Sequence, residues 1–270
     1  MSEIDAARLR GELAGSYADI DVVSRTGSTN ADLLRAAAEG AADRTVLIAE
    51  EQTAGVGRRA RSWVSPRGTG IYLSVLLRPR EVAFAQVGSL ALVAGLALID
   101  LTRSLGVHAV LKWPNDVLAG PDLGKCAGIL AEAVAGDELG VVLGIGLNVR
   151  PLGQDVPTAP GGLKPTSLAE HGASSADRTE IAVRLLTALA DRESRWRAAR
   201  GNLAEAGLFE DYRAHCGTLG QQVRVLLPGD KSLVGEAADI DSDGQLIVVD
   251  EDGRRHTVFA GDVVHLRAVP

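Results

Sequence analysis

Two apolar runs, residues 127–134 (AGILAEAV) and 139–148 (LGVVLGIGLN), stand four residues apart across Ala135-Gly136-Asp137-Glu138. So short a connection is a hairpin signal and argues for an antiparallel or mixed sheet over a doubly wound one. The remaining apolar runs fit that frame. Strands are expected at 20–24, 45–49, 71–77 and 110–113, and helices at 5–14, 31–40 and 82–105. Further helices are expected near 167–171, 177–200 and 203–216, after a Pro/Gly-rich loop at 151–165. Beyond Gly217 the pattern changes to short strands at 223–227, 233–240, 246–249 and 256–259. They are split by Pro228-Gly229-Asp230, Asp243-Gly244 and Asp252-Gly253, the mark of a small β-barrel or SH3-like module. The expected division is 1–216 and 217–270.

Composition narrows the function classes. Of 270 residues, 46% are hydrophobic and 23% charged, with mean hydropathy +0.10, which suits a globular chain and not a disordered or coiled-coil one. The longest apolar stretch, 87–101, falls short of the roughly 18 residues that span a bilayer. No signal-peptide pattern opens the chain, so a soluble cytoplasmic protein is expected, with no membrane partner. Cys126 and Cys216 are too few for a disulfide framework or a zinc cage, and His108, His171, His215, His256 and His265 show no ligand spacing. No protein-held metal is expected. A net charge of −7 is ill suited to a duplex-DNA binder, so no DNA partner is expected. Lysine is rare: Lys112, Lys125, Lys164 and Lys231 are the only ones among 28 basic residues, either incidental or placed where a compact ammonium is wanted.

Two segments carry chemistry. Residues 52–70 form a polar Gly/Arg-rich loop in which Gly55-Val56-Gly57-Arg58-Arg59-Ala60 matches a dinucleotide fingerprint in form only, since no helix can follow. Glycines there let the backbone wrap a ligand, arginines offer forks to carboxylate or phosphate oxygens, and Trp63 can stack. The same loop also reads as a solvated basic loop with Trp63 in the core. Lys112-Trp113-Pro114-Asn115-Asp116 gathers polar groups at a strand end, as a catalytic set or as a simple turn. Residues 120–125 (GPDLGK) lack the spacing and the Ser or Thr of a P-loop. Cys126 reads as a buried small hydrophobe.

Read together, five segments resemble the biotin protein ligases: Gly27-Ser28-Thr29-Asn30, the run 51–59 (EQTAGVGRR), 112–116 (KWPND), 125–130 (KCAGIL) and 144–148 (GIGLN). The resemblance covers about residues 20–150, and the small β tail suits the family's C-terminal domain. It implies a class II aminoacyl-tRNA-synthetase-like α+β domain with a largely antiparallel sheet, followed by an SH3-like barrel. It implies that biotin and ATP form biotinyl-5′-AMP, with Mg2+ carried on ATP. Biotin then passes to a lysine of the biotin carboxyl carrier domain of an acyl-CoA carboxylase. By resemblance Ser28, Thr29, Asn30 and Gln52 meet the ureido end of biotin, with Gly55, Val56 and Gly57 in the loop around it. Arg58 and Lys125 take the carboxylate and phosphate side, aided by Lys112. Arg61, Trp63, Asn115 and Asn148 belong to the ATP side, with Trp63 covering the adenine. Asp116 orients or deprotonates the incoming amine or helps to place magnesium.

The family loop reads GRGRRGR; here it reads GVGRRAR, so Val56 removes a guanidinium and Ala60 a glycine. Weaker retention of the adenylate is expected. Too few residues precede Gly27 for the winged helix of the repressor-type members, so the ligase-only form is expected, as a monomer. The alternatives are a lipoate or octanoate ligase of the same superfamily and a non-catalytic biotin-binding protein.

Overall fold

The structure is a computed structural model that describes residues 3–64, 66–134, 138–153, 156, 158, 162–227, 232–259 and 262–265. The turns expected at 135–137 and 228–230 and part of the 151–165 loop lie outside these residues. The chain begins with α1 (Ala6–Glu12), β1 (Asp19–Val23), α2 (Thr29–Ala38) and β2 (Thr45–Ala49). The Gly/Arg loop then forms a small hairpin, β3 (Val56–Gly57) and β4 (Arg61–Ser62), before β5 (Gly70–Leu77). After α3 (Leu90–Ser104) come β6 (Ala109–Lys112), β7 (Asp116–Ala119), β8 (Gly124–Val134) and β9 (Gly140–Asn148). Two helices, α4 (Arg178–Ala198) and α5 (Phe209–His215), lead into β10 (Gln222–Leu226), β11 (Ser232–Ile240), β12 (Leu246–Val249), β13 (Arg255–Val258) and β14 (Asp262–His265).

Seven strands make the main sheet in the order β1-β2-β5-β9-β8-β7-β6, with β1 and β2 parallel and every other pair antiparallel. Alternation along each strand sends side chains to opposite faces. Ile71, Leu73, Val75, Ile145 and Leu147 join the large core under α3 and α4. Leu76 and Val142 pack instead with Leu33 and Ala37 of α2 and Leu47 of β2. Covered on both sides, β5 is buried at all eight positions. Helix α3 reaches the sheet closely at Gly95, where a Cβ would lie 3.0 Å from Leu111 Cδ2. The last five strands form a separate antiparallel sheet in the order β13-β12-β11-β10-β14.

Four expectations need correction. The helix expected at 82–105 is α3 preceded by a 3₁₀ turn over Phe84–Ser89. Hydrogen bonds from Gln86 to Asp243 (3.2 Å) and from Trp196 to Ser89 (2.8 Å) hold that turn in its own register. Together Phe84–Ser104 are 21 residues, long and apolar enough to cross a membrane, contrary to the reading of the 87–101 stretch; 67% of the most apolar window is buried in the protein core. The expected 203–216 helix shrinks to α5, and that near 167–171 to a 3₁₀ turn over Ala169–His171. Strands β7 and β14 were not expected at all.

Candidate active site

Strand β7 changes the meaning of the 112–116 segment. Lys112 and Asp116 are direct cross-strand partners in a β6–β7 hairpin, with Trp113-Pro114 in the cis form between them. Asp116 is in register with Gly128 on β8, and Gly128 with Gly146 on β9. The GIGLN alternation sends Ile145 and Leu147 into the core and leaves Gly144, Gly146 and Asn148 along a cleft of about 550 Å³. All but one of the residues expected at a ligand site line it. The exception is Gly55, whose carbonyl accepts from Trp63 N at 2.9 Å and whose Cβ would meet Trp63 O at 2.8 Å.

At one end the groups that line the cleft are neutral and polar, with the Glu132 carboxylate bonded to them from outside the lining. Ser28 caps α2, accepting from Ala31 N at 3.4 Å. Gln52 Oε1 accepts from both the amide (2.7 Å) and the hydroxyl (3.0 Å) of Thr29. Ser74 Oγ lies 2.6 Å from Asn30 Oδ1 and 2.7 Å from Thr29 Oγ1, while Asn30 Nδ2 donates to Glu132 at 2.7 Å. Both ends of the Asn30 amide are therefore engaged by protein. A Cβ on Gly144 would stand 2.2 Å from Asn30 Oδ1, so glycine is what admits this side chain. Ser74 and Glu132 were absent from the sequence reading, yet a lone serine inside the apolar run 71–77 was a usable signal.

The other end is charged. Asp116 Oδ1 is 2.7 Å from Lys125 Nζ, and Oδ2 is 3.9 Å from Lys112 Nζ. Asn115 donates to Ile129 O at 2.8 Å and accepts from Arg58 Nη1 at 3.5 Å. Among the described residues, Arg58, Arg61, Lys112 and Lys125 line the cleft against the one carboxylate of Asp116. An acidic protein thus carries a positive cleft, which attracts anions. Cys126, next to Lys125, is no nucleophile: burial raises its thiol to about 12, and its Sγ donates to Val117 O.

Between the two ends lies Trp63. Its ring rests on the paired glycines, since a Cβ on Gly146 would be 2.5 Å from its Cε2 and one on Gly128 3.0 Å from its Cζ3. Lys125 Nζ sits 5.4 Å from the ring centroid. Asn148 Nδ2 donates to Thr166 O at 3.0 Å, whereas Asn148 Oδ1 and Trp63 Nε1 are buried without a protein partner. A buried acceptor and a buried donor left open in one cleft are places for a ligand's polar groups. The C-terminal sheet supplies Val263 to the wall.

Known proteins resemble this chain in sequence and fold. Residues 22–148 match the biotin/lipoate A/B protein ligase family and residues 218–266 the biotin protein ligase C-terminal domain. The biotin–[acetyl-CoA-carboxylase] ligase of Mycobacterium tuberculosis is 47% identical, over 98% of this chain and 96% of its own length. The bifunctional ligase/repressor BirA of Bacillus spizizenii is 31% identical, over 90% of this chain and 72% of its own. The solved biotin protein ligase from Aquifex aeolicus, in complex with biotin and ATP, superposes with a TM-score of 0.74 at 26% identity. That match covers 93% of this chain and all of the other. With its cleft built from the matching segments and the similarity running nearly end to end, the chain belongs to the biotin protein ligase family.

Proposed function

We infer that this chain is an ATP-dependent biotin protein ligase acting on the biotin carboxyl carrier domain of an acyl-CoA carboxylase. The observation that carries the reading is one cleft with a neutral hydrogen-bonding end and a cationic end, on either side of an indole. Biotin has the same polarity: a ureido ring at one end and a carboxylate at the other. A carboxylate oxygen of biotin attacks the α-phosphorus of ATP and pyrophosphate leaves, giving biotinyl-5′-AMP. The ε-amine of the carrier lysine then attacks the acyl carbon, loses a proton and expels AMP.

Each residue has a role in that sequence. Ser28, Thr29, Asn30 and Gln52 face the ureido group, with Ser74 bonded to both Thr29 and Asn30. Lys125, Arg58 and Lys112 neutralise two anions that must approach each other, the largest electrostatic demand of the first step. Trp63 covers the adenine and Asn148 Oδ1 accepts from its 6-amino group. Asp116, placed between both lysines, is the group within reach of the incoming amine. In this reading magnesium arrives on the ATP phosphates. The loop over the ligands keeps water from the mixed anhydride. Residues 1–216 form the catalytic unit in this reading and 217–270 the C-terminal one, supported by the separate sheet β10–β14.

Biotin-dependent exchange of labelled pyrophosphate into ATP, with magnesium, tests the reading. Exchange with biotin is the expected result. Exchange with lipoate or octanoate alone moves the protein to the sister branch, and exchange with no acid makes it a binding protein.

A further inference from the structure

The cleft loop leaves the sheet after Ala49, the last residue of β2, and re-enters it at Gly70, the first residue of β5. One buried side chain outside the cleft touches both ends. Arg178, the first residue of α4, is 2% exposed, and its Nη1 donates to the carboxylate of Glu50, itself 3% exposed. The same nitrogen lies 3.4 Å from the carbonyl oxygen of Gly70. The second Glu50 oxygen accepts from Ile4 N at 2.6 Å. The returning end of the loop is tied to the same region: Val149 N (3.0 Å) and Arg150 N (2.8 Å) both donate to Thr69 O. Arg150 Nη2 in turn donates to Ala176 O, two residues before Arg178, at 3.0 Å.

Neither Glu50 nor Arg178 lines the cleft. A buried ion pair is also a poor way to gain stability, since apolar side chains of equal volume do as well. What the pair supplies is geometry, because one nitrogen of a rigid, planar guanidinium meets both loop ends. We propose that Arg178 is a positioning residue for the ligase reaction, holding the two ends of the cleft loop at a fixed separation so that Arg58, Arg61 and Trp63 stay closed over the adenylate. The proposal rests on the ligase reading above. Without Arg178 the ends are held by sheet pairing and the Thr69 bonds alone, which admits more open conformations of the loop, while the residues that touch the ligands remain unchanged.

The test uses the full chain with Arg178→Lys, with Glu50→Gln, and with Arg178→Met and Glu50→Gln combined. Two rates are read: release of biotinyl-5′-AMP from the enzyme, and tryptic cleavage after Arg58, Arg59 and Arg61 without ligand. The lysine Nζ stands one bond short of the Nη1 that meets both partners, so at least one contact is lost. Each rate is expected to rise about tenfold, the scale of one lost charge-assisted hydrogen bond. KM for biotin is expected to rise more than kcat falls. Where a single change leaves a lone buried charge and the protein fails to fold, the double variant, which removes both charges, decides. A folded variant with a lowered melting temperature but wild-type release and cleavage overturns the proposal, as does wild-type release by the double variant. Should the wild type form no adenylate, the ligase reading fails, and the cleavage rates alone decide the clamp.

Discussion

Asp116 sits between two ammonium groups that are themselves largely buried, with side-chain exposures of 8% for Lys112 and 17% for Lys125. Two cations so close in a partly dry cleft need a shared counter-ion until anionic ligands arrive. Replacing Lys125 with Met is therefore expected to lower kcat/KM for pyrophosphate exchange by about 10²- to 10³-fold, the usual scale for removing one preorganised donor. Lys125→Arg should recover only part of this, because a planar fork does not fit the point-charge position between Asp116 and the Trp63 ring. Asp116→Asn separates the two chemical steps. If Asp116 receives the amine, transfer from preformed adenylate slows more than adenylate formation does, which single-turnover assays resolve. Equal slowing of both steps would assign Asp116 to lysine pairing alone. Sequence placed Lys112 and Asp116 together because Pro114 and their spacing are local signals. It did not reveal that they are cross-strand partners, because the partner strand Asp116–Ala119 is too short to show a period.

At the scale of an element, the cleft loop departs from its family at Val56 and Ala60. Arg59 and Ala60 both have positive φ, 57° and 56°, a region in which a Cβ costs about 1 kcal/mol or more per residue. A bond from Arg59 Nη2 to Leu226 O of the C-terminal sheet, 3.1 Å, offsets part of that cost. Ala60→Gly is expected to slow adenylate release by roughly fivefold, about 1 kcal/mol, and Val56→Arg to slow it further by restoring a cation. Release from the wild type as slow as from Val56→Arg would overturn the view that these positions loosen the grip. The loop also carries its own reporter, since Trp113 and Trp196 are buried and Trp63 alone faces the cleft. Biotin should change the tryptophan fluorescence of the wild type, and Trp63→Phe should abolish that change. The helices around 6–12, 29–38 and 178–198 were legible because caps and apolar spacing are local. The hairpin inside the loop and the strand Asp262–His265 were not, because distant partners define them: Val56 is in register with Ser62, and Val263 with Val225.

Across the whole molecule, the C-terminal sheet and the Lys112–Asp116 hairpin are fastened at Trp113. Its Nε1 donates to Gly244 O at 2.9 Å, and its backbone N–H donates to Thr218 Oγ1 at 3.0 Å. The same hydroxyl lies 3.1 Å from His265 Nε2. Burial, with the charge of Lys112 as a second cause, lowers His265 to about 4. Its folded value therefore lies below its unfolded value near 6.5. Between these limits the unfolded chain binds the proton and the folded chain does not, so stability is full above pH 6.5 and is lost as pH falls toward 4. Asp43 and Asp250, held below their usual range mainly by hydrogen bonds from Arg197 and Arg78 and from His256 and Arg254 respectively, lose their share lower still. Melting temperatures taken from pH 7 to 4.5 should therefore fall for the wild type and fall less steeply for His265→Gln, which keeps an acceptor for Thr218 without a titrating ring. Parallel curves for the two proteins would remove His265 as the cause. They would also mean that the junction between the sheet and the Lys112–Asp116 hairpin is indifferent to the charge of that ring, and that it rests on the packing and the two hydrogen bonds of Trp113.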